Sequence, residues 1–443
     1  MVFGYTPLDP LVVLIGTAMA AWFLIRKPIR LMAYMPAALS LYFFIPTITL
    51  MTLWQTIPLL LTGRVLAKGT LKVPSFAKFF VFLFGSAFVV SATYSLFSGD
   101  DRTRAIIRVI YYLGIFALFS FSYEMGRRPE GLRFLLKGLA AVGVVFSVYG
   151  LYQLVATPLG LPVRGILRGT YGADIAYEYG FVRINSLTNE PKRLGYVLFC
   201  SALACFALSR LKPERAKLLR KTSYLILFIS LFTFSGSYFL SIVLFGLVAV
   251  ILYPSRATPY ALGLVAVLSF IIVILPDNEI LEAIQHGYER RAVEVEIGID
   301  GRFVYRQEFY AWDYLAHHPS VAVTGVGLGQ YFVALNQEYG IGVGINEYGG
   351  LVPLNSNVLE LLFDLGGPSA ALFYFTMITL IWKLRQAGER FLCLALLFVT
   401  MQSLSILTLQ WMVLFAGVGV GRLAMKHASN PSGYRSSVRK RTV

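Results

Sequence analysis

The chain has 443 residues, of which 57% are hydrophobic and only 14% charged, with a formal net charge of +16. A soluble domain carries nearer a quarter charged residues, so this composition points to a bilayer as solvent. The excess of cations raises nucleic acid as a partner, but their distribution excludes it. They gather in short blocks between apolar runs, and 27 of the 39 Lys and Arg fall on one face when the chain is threaded. That is the asymmetry expected of the cytoplasmic side of a membrane protein.

Apolar runs near the ~20 residues a spanning helix needs recur from end to end. In chain order they read as 10–26, 31–47, 48–63, 77–97, 105–123, 133–156, 191–209, 222–236, 238–253, 258–276, 355–383, 389–405 and 407–422. The fold class expected is an all-α polytopic membrane protein of about 12–13 spans. Thirteen spans put the N-terminus outside and the C-terminus inside; reading 31–63 as one tilted span gives twelve but splits two basic clusters across opposite faces. The first run has no Lys or Arg ahead of it, so it reads as a retained helix rather than a cleaved leader. Cys200, Cys205 and Cys393 fall inside spans with no metal or redox spacing, and no disulfide is expected.

Residues 1–276 hold the first ten spans and an outer loop at about 157–190; residues 277–354 form a large outer loop; 355–422 return to the membrane; 423–443 are a basic cytoplasmic tail. The 277–354 loop contains eleven acids together with Arg290, Arg291, Arg302 and Arg306. A connector of that length usually carries function. Within it GRFVYRQEFYAWDYLAHHP reads as a helix between Gly301 and Pro319, with Arg302 and Arg306 one turn apart. The loop aromatics Tyr305, Tyr310, Trp312, Tyr314 and Tyr331 read either as sugar-stacking surfaces or as the loop's own small core.

The stretch RINSLTNEPKRLG, residues 183–195, sets Arg183, Glu190, Lys192 and Arg193 at the start of a long apolar helix. Cations in a first helical turn oppose the helix dipole, whereas an anion there is attracted by it and by the free N–H groups. Arg302 and Arg306 repel one another unless an anion lies between them. Together these residues describe a cradle for a pyrophosphate, which accepts several guanidinium forks. The competing readings are Lys192 and Arg193 reaching to lipid headgroups, a salt-bridged surface helix for Arg302 and Arg306, and cap or surface roles for His317 and His318. Glu360 and Asp364, four apart on the 355–383 run, call for arginine partners or a suppressed charge if buried. No metal or cofactor motif is present: there is no HExxH and no nucleophile elbow, and GVGLG lacks the Lys-Ser/Thr of a nucleotide loop. What remains is acid–base chemistry by a carboxylate or His beside an anion site, suited to moving a group from a phosphate leaving group to a hydroxyl.

These strings resemble the O-antigen ligase and polymerase superfamily over roughly residues 133–385. RINSLTNEPKRLG is similar to its Arg…Asn-Pro…Leu-Gly segment, GRFVYRQEFYAWDYLAHHPSVAVTGVGLGQY to its Arg, Trp-bearing helix, Pro and Gly-x-Gly, and NSNVLELLFDLGG to its His-Asn-x-x-Leu-x-x-Leu-x-x-x-Gly entry. Two positions depart: Asn355 stands where the ligases have His, and Tyr238 where their Thr-x-Ser-Arg segment has Arg. Both departures favour a polymerising branch over a lipid A-core ligase. The resemblance implies inverting, metal-independent glycosyl transfer at the periplasmic face of the bacterial inner membrane. The implied donor is an undecaprenyl-pyrophosphate-linked glycan, and the acceptor a lipid-linked glycan or lipid A-core. A chain-length regulator is a candidate partner. Arg183, Lys192, Arg193, Arg302 and Arg306 would hold the pyrophosphate; Glu190, Glu360, Asp364 and His318 compete as general base, Glu190 first. Asn355 and Asn357 mark the entry motif. The alternatives are an O-antigen ligase and a flippase or transporter of the same lipid-linked glycan.

Overall fold

The computed structural model describes residues 8–41, 44–45, 51–69, 78–161, 163, 182, 184–188, 191–233, 235–254, 295–297, 303–305, 307–339, 354, 356–402 and 406–429. It is all-α apart from two short antiparallel ladders. The elements run α1 (Leu8–Arg26), α2 (Pro28–Ser40), β1 (Phe44–Ile45), β2 (Met51–Thr52), α3 (Leu53–Lys68), α4 (Lys78–Phe97), α5 (Arg102–Gly126), α6 (Pro129–Ala156), α7 (Pro191–Leu211), α8 (Ala216–Leu231) and α9 (Gly236–Leu252). They continue as β3 (Val295–Ile297), β4 (Phe303–Tyr305), α10 (Gln307–His317), α11 (Pro319–Thr324), α12 (Tyr331–Tyr339), α13 (Asn357–Leu365), α14 (Gly367–Gln386), α15 (Arg390–Met401) and α16 (Ile406–Ser429). Among the described residues four helices are long and apolar enough to cross a membrane: Asp9–Arg26, Arg102–Gly126, Pro129–Ala156 and Pro191–Leu211.

Helix starts follow local chemistry. Asp101 caps α5 by accepting the Arg104 backbone N–H at 3.0 Å, and Ser356 caps α13 by accepting from Leu359 N–H. Proline opens α2, α6 and α7, where its missing N–H is harmless. The 31–63 hairpin is two helices, with α2 ending at Ser40 and α3 starting at Leu53. The expected run 258–276 lies outside the described residues.

Two expectations are corrected. The 355–383 run is not one span: Gly366, at φ 80 and ψ 166, breaks it into α13 and α14, and Pro368 opens the new helix. A Cβ at Gly366 would run into the Val323 carbonyl, so glycine is required there. The expected 301–319 helix begins only at Gln307, because Phe303–Tyr305 pairs as a strand with Val295–Ile297. The β-branched and aromatic Phe-Val-Tyr triplet fits a pleated surface better than a helix. Arg302 and Arg306 lie outside the described residues, but what separates them is a strand and not a helical turn.

One apolar core runs through the bundle, and a second unites α10, α12 and α13 around Tyr310, Leu315, Tyr331, Leu335, Leu359 and Phe363. The loop aromatics Tyr310, Tyr314 and Tyr331 therefore build a core, whereas Trp312 is 54% exposed. The side chain of Tyr305 lies outside the described residues. The outward faces of α4, α6, α8 and α9 present Phe82, Val90, Val148, Phe228 and Ile251 to the surroundings. Exposed apolar side chains of this size, repeated on several helices, suit an apolar surrounding better than water.

Among the described residues the most extensive helix packing is between α5 and α16. A Cβ at Gly126 would come within 2.5 Å of the Val418 carbonyl, and one at Gly421 within 2.5 Å of the Tyr123 carbonyl. Gly417 faces Ser122 and Gly421 faces Tyr123, so the two helices run parallel with their backbones nearly touching. Charged residues collect at the two ends of this pair. Toward the C-terminal end, Glu124 pairs with Arg64 at 3.1 Å and Arg128 at 3.6 Å, and Glu389 with Arg422 at 3.1 Å and Lys426 at 2.9 Å. Sixteen residues earlier on α5, about 24 Å along its axis, stands Arg108.

Candidate functional site

Arg104, Arg108 and Tyr112 recur every four residues on α5 and so share one face. Opposite them α13 presents Asn357, Glu360 and Asp364, which the i, i+3, i+7 spacing also puts on a single face. Arg108 Nε donates to Asp364 Oδ2 at 2.7 Å, and Arg108 Nη2 stands 3.5 Å from Glu360 Oε1. The Tyr112 hydroxyl donates to Asp364 Oδ2 at 3.0 Å, and the Gly329 backbone N–H donates to Asp364 Oδ1 at 2.9 Å. Asp364 is fully buried and Glu360 is 3% exposed.

The two carboxylates thus differ. Asp364 has both oxygens occupied, by a guanidinium, a phenol and a backbone amide. Glu360 Oε1 accepts no hydrogen bond among the described residues, and Arg108 Nη2 donates none. Asn357 is 1% exposed, and neither atom of its carboxamide finds a partner among the described residues. Buried polar groups are normally satisfied, so three such groups on facing helices single out this place.

The Gly-rich turn supplies the framework. Gly325, Gly327 and Gly329 all have positive φ, at 75, 102 and 69. That conformation lets the backbone pass against the end of α13, where the Val326 N–H donates to the Phe363 carbonyl at 2.8 Å. The turn is also fastened to the α4–α5 junction. Gln330 accepts from the Asp101 N–H at 3.2 Å and donates to the Asp101 carbonyl at 3.0 Å; Gln337 donates to Asp100 at 2.9 Å; and the Arg104 guanidinium lies 3.9 Å from the centre of the Phe332 ring. Burial, with Glu360 adding to it, holds the Tyr331 phenol well above its ordinary range.

Of the residues expected from sequence, Asn357, Glu360 and Asp364 come together here. Lys192 and Arg193 occupy the first turn of α7, Arg193 buried and Lys192 half-buried. His318 precedes α11 without capping it; its partners are Glu338 at 3.5 Å and the ring of Tyr314 at 4.4 Å, not the α13 carboxylates. Arg183, Glu190, Arg302, Arg306 and Asn355 lie outside the described residues. The turn between Arg183 and Glu190 is described and firmly held: Gln153 donates to Asn185 at 2.9 Å and accepts from the Ser186 N–H at 2.6 Å, with Ser186 at φ 50. Tyr238 is fully buried, donates to Ser230 at 2.8 Å and lays its ring against Gly195. It acts in packing.

Arg104, Arg108 and Tyr112 were not singled out in the sequence. Their signal was present: DDRTRAIIRV puts three arginines at the start of a long apolar helix, where buried cations call for partners. Among the described residues no three His, Cys, Asp or Glu side chains cluster as metal ligands do. No protein-family profile matches the chain, and no curated protein matches it significantly.

Proposed function

We propose that the chain is a polytopic protein of the bacterial inner membrane, with residues 277–354 on the periplasmic side, that polymerises undecaprenyl-pyrophosphate-linked oligosaccharide units by inverting, metal-independent glycosyl transfer. The observation that carries this reading is the contrast between Asp364, both of whose oxygens accept hydrogen bonds, and Glu360, whose Oε1 stands 3.5 Å from the same buried guanidinium without accepting one. A carboxyl group held beside a cation, with an oxygen that accepts no hydrogen bond, can serve as a general base. In the proposed step Glu360 takes the proton of the acceptor hydroxyl as its oxygen attacks the anomeric carbon. The new C–O bond forms on the face opposite the leaving group. The bond from the anomeric carbon to the pyrophosphate oxygen breaks, and its electron pair leaves with undecaprenyl pyrophosphate. Arg183, Lys192, Arg193, Arg302 and Arg306 are proposed to stabilise that leaving charge, and Glu190 is the rival base.

Support for the membrane reading comes from the four long apolar helices and the apolar outward faces. Support for chemistry at one surface comes from the placing of the Arg–carboxylate cluster at one end of α5, with the Glu124 and Glu389 pairs at the other. The test is incubation of the purified protein with lipid-linked oligosaccharide, followed by glycan sizing. A ladder is expected. Product only when lipid A-core is added makes it a ligase instead, and no product in either case overturns catalysis in favour of translocation.

A further inference from the structure

Residues 319–330, PSVAVTGVGLGQ, carry no charged side chain, although the loop that holds them is rich in acids and arginines. We propose that this stretch, α11 with the Gly-rich turn, is a re-entrant segment. It dips from the periplasmic side into the outer leaflet and lays Val323 against phospholipid acyl chains. This inference rests on the reading of the chain as a polytopic membrane protein with 277–354 on that side.

Two helices measure its depth. The corner between α4 and α5 carries Asp100 and Asp101 and marks the water boundary, because exposed apolar side chains begin directly below it with Phe97 and Tyr94 on α4. Ser91 lies six residues before Phe97, and its hydroxyl donates to the Asp364 carbonyl. Arg108 lies six residues past Arg102 and donates to the Asp364 carboxylate. At 1.5 Å per residue both counts put Asp364 about 9 Å inside the boundary. The segment sits at that level: the Val326 N–H donates to the Phe363 carbonyl, and the Val323 carbonyl packs on Gly366. There α4 exposes Val90 and α5 exposes Ile106 and Ile107, and Val323 itself is 58% exposed. The surface at this depth is apolar on all three elements.

Both flanks of the segment return to polar ground. Before it, His317 stands beside Asp313 and His318 beside Glu338; after it, Gln330 bonds to Asp101 and Gln337 to Asp100 at the corner. Irregular backbone is tolerated at membrane depth only where protein satisfies its polar groups. The N–H groups of Gly325, Val326, Gly329 and Gln330 all find acceptors, on Val321, Phe363, Asp364 and Gly327, and the Thr324 hydroxyl donates to the Ser320 carbonyl at 3.0 Å. Leu328 is fully buried while Val323 stays outside. The segment thus walls the Arg108–Asp364 pair from lipid, where an unshielded charge is costly.

The test is spin-label accessibility of the full-length protein in vesicles of phosphatidylethanolamine and phosphatidylglycerol. Nitroxides are attached to Val323→Cys, Val90→Cys and Glu338→Cys, each substituting an exposed side chain, with the unsubstituted protein as blank because its own cysteines are buried. Dissolved oxygen concentrates in lipid and a nickel chelate in water. The label at position 323 should collide more often with oxygen than with the chelate, as should the one at position 90, and the label at position 338 should show the reverse. If the label at 323 follows the one at 338, or meets neither reagent because protein covers it, the re-entrant segment is overturned while the result at 90 leaves the membrane reading standing. A label at 90 that favours the chelate overturns the membrane reading, and the segment with it.

Discussion

Replacing Arg108 by methionine, which keeps the bulk of the stem and removes the guanidinium, leaves two carboxylates facing each other with no cation between them. Asp364 loses its 2.7 Å partner and Glu360 its 3.5 Å one, in surroundings where their side chains are 0% and 4% exposed. Removing one partner of a buried ion pair costs about 3–5 kcal/mol, because the remaining charge stays out of water unpaired. That is roughly two to four powers of ten in the unfolding equilibrium. Glu360→Gln should behave in the opposite way: it gives up the 3.5 Å ion pair but removes a carboxyl group whose burial is costly and leaves Arg108 matched one to one with Asp364. Asp364→Asn falls between, since Oδ1 and Oδ2 both accept and an amide must turn its N–H groups toward one of the donors. The assay is thermal unfolding in detergent followed with a thiol-reactive fluorophore, because Cys200, Cys205 and Cys393 are all free and buried and stay silent until the bundle opens. The expected order of loss is Arg108→Met, then Asp364→Asn, then Glu360→Gln with little change. If Glu360→Gln destabilises as much as Arg108→Met, or Arg108→Met melts with the wild type, the charge assignment is wrong.

Gly329→Ala puts a side chain at φ 69 with its Cβ 3.1 Å from the Arg104 carbonyl, a left-handed conformation costing about 1–2 kcal/mol; protease should then cut the 307–339 segment faster than in wild type, and equal rates would refute the tight seat. Gln330→Ala breaks both hydrogen bonds to Asp101, a loss of about 2 kcal/mol at roughly 1 kcal/mol each, and hydrogen exchange in 331–339 should rise while that in α7 does not. Single cysteines at positions 290 and 345 should react with an impermeant reagent added to the periplasmic side of intact cells; labelling from the cytosolic side alone would invert the proposed topology. Arg302→Ala should stop chain growth in cells while the protein still inserts, and normal polymer would remove that arginine from the diphosphate cradle.

Much of the helix layout was readable because hydropathy and proline act locally. Runs such as 133–156 and 191–209 became α6 and α7, whose openings at Pro129 and Pro191 need no tertiary information. The break at Gly366 was also written locally, in Leu-Gly-Gly-Pro, but the apolar content on both sides masked it. Phe303–Tyr305 misled for another reason: the strand exists by pairing with Val295–Ile297, and no spacing within the segment reports that partner. The site shows the same divide. Glu360 and Asp364 were legible as carboxylates in need of a cation, since two acids four apart in an apolar run cannot be buried alone. Their cation, Arg108, was out of reach because it is chosen by the packing of α13 beside α5 and not by any motif.

The 256 residues separating Arg108 from Asp364 have a consequence for biosynthesis. At about 5–20 residues per second, a ribosome needs roughly 13–50 s to deliver the counter-ion after the arginine has emerged. The face of α5 that seats Gly417 and Gly421 waits longer still, for α16. On the proposed topology, nascent α5 must be sheltered through that interval by the insertion machinery or by lipid phosphates. Messages truncated before codon 364 should therefore yield chains that quality-control proteases remove, however apolar their early helices are.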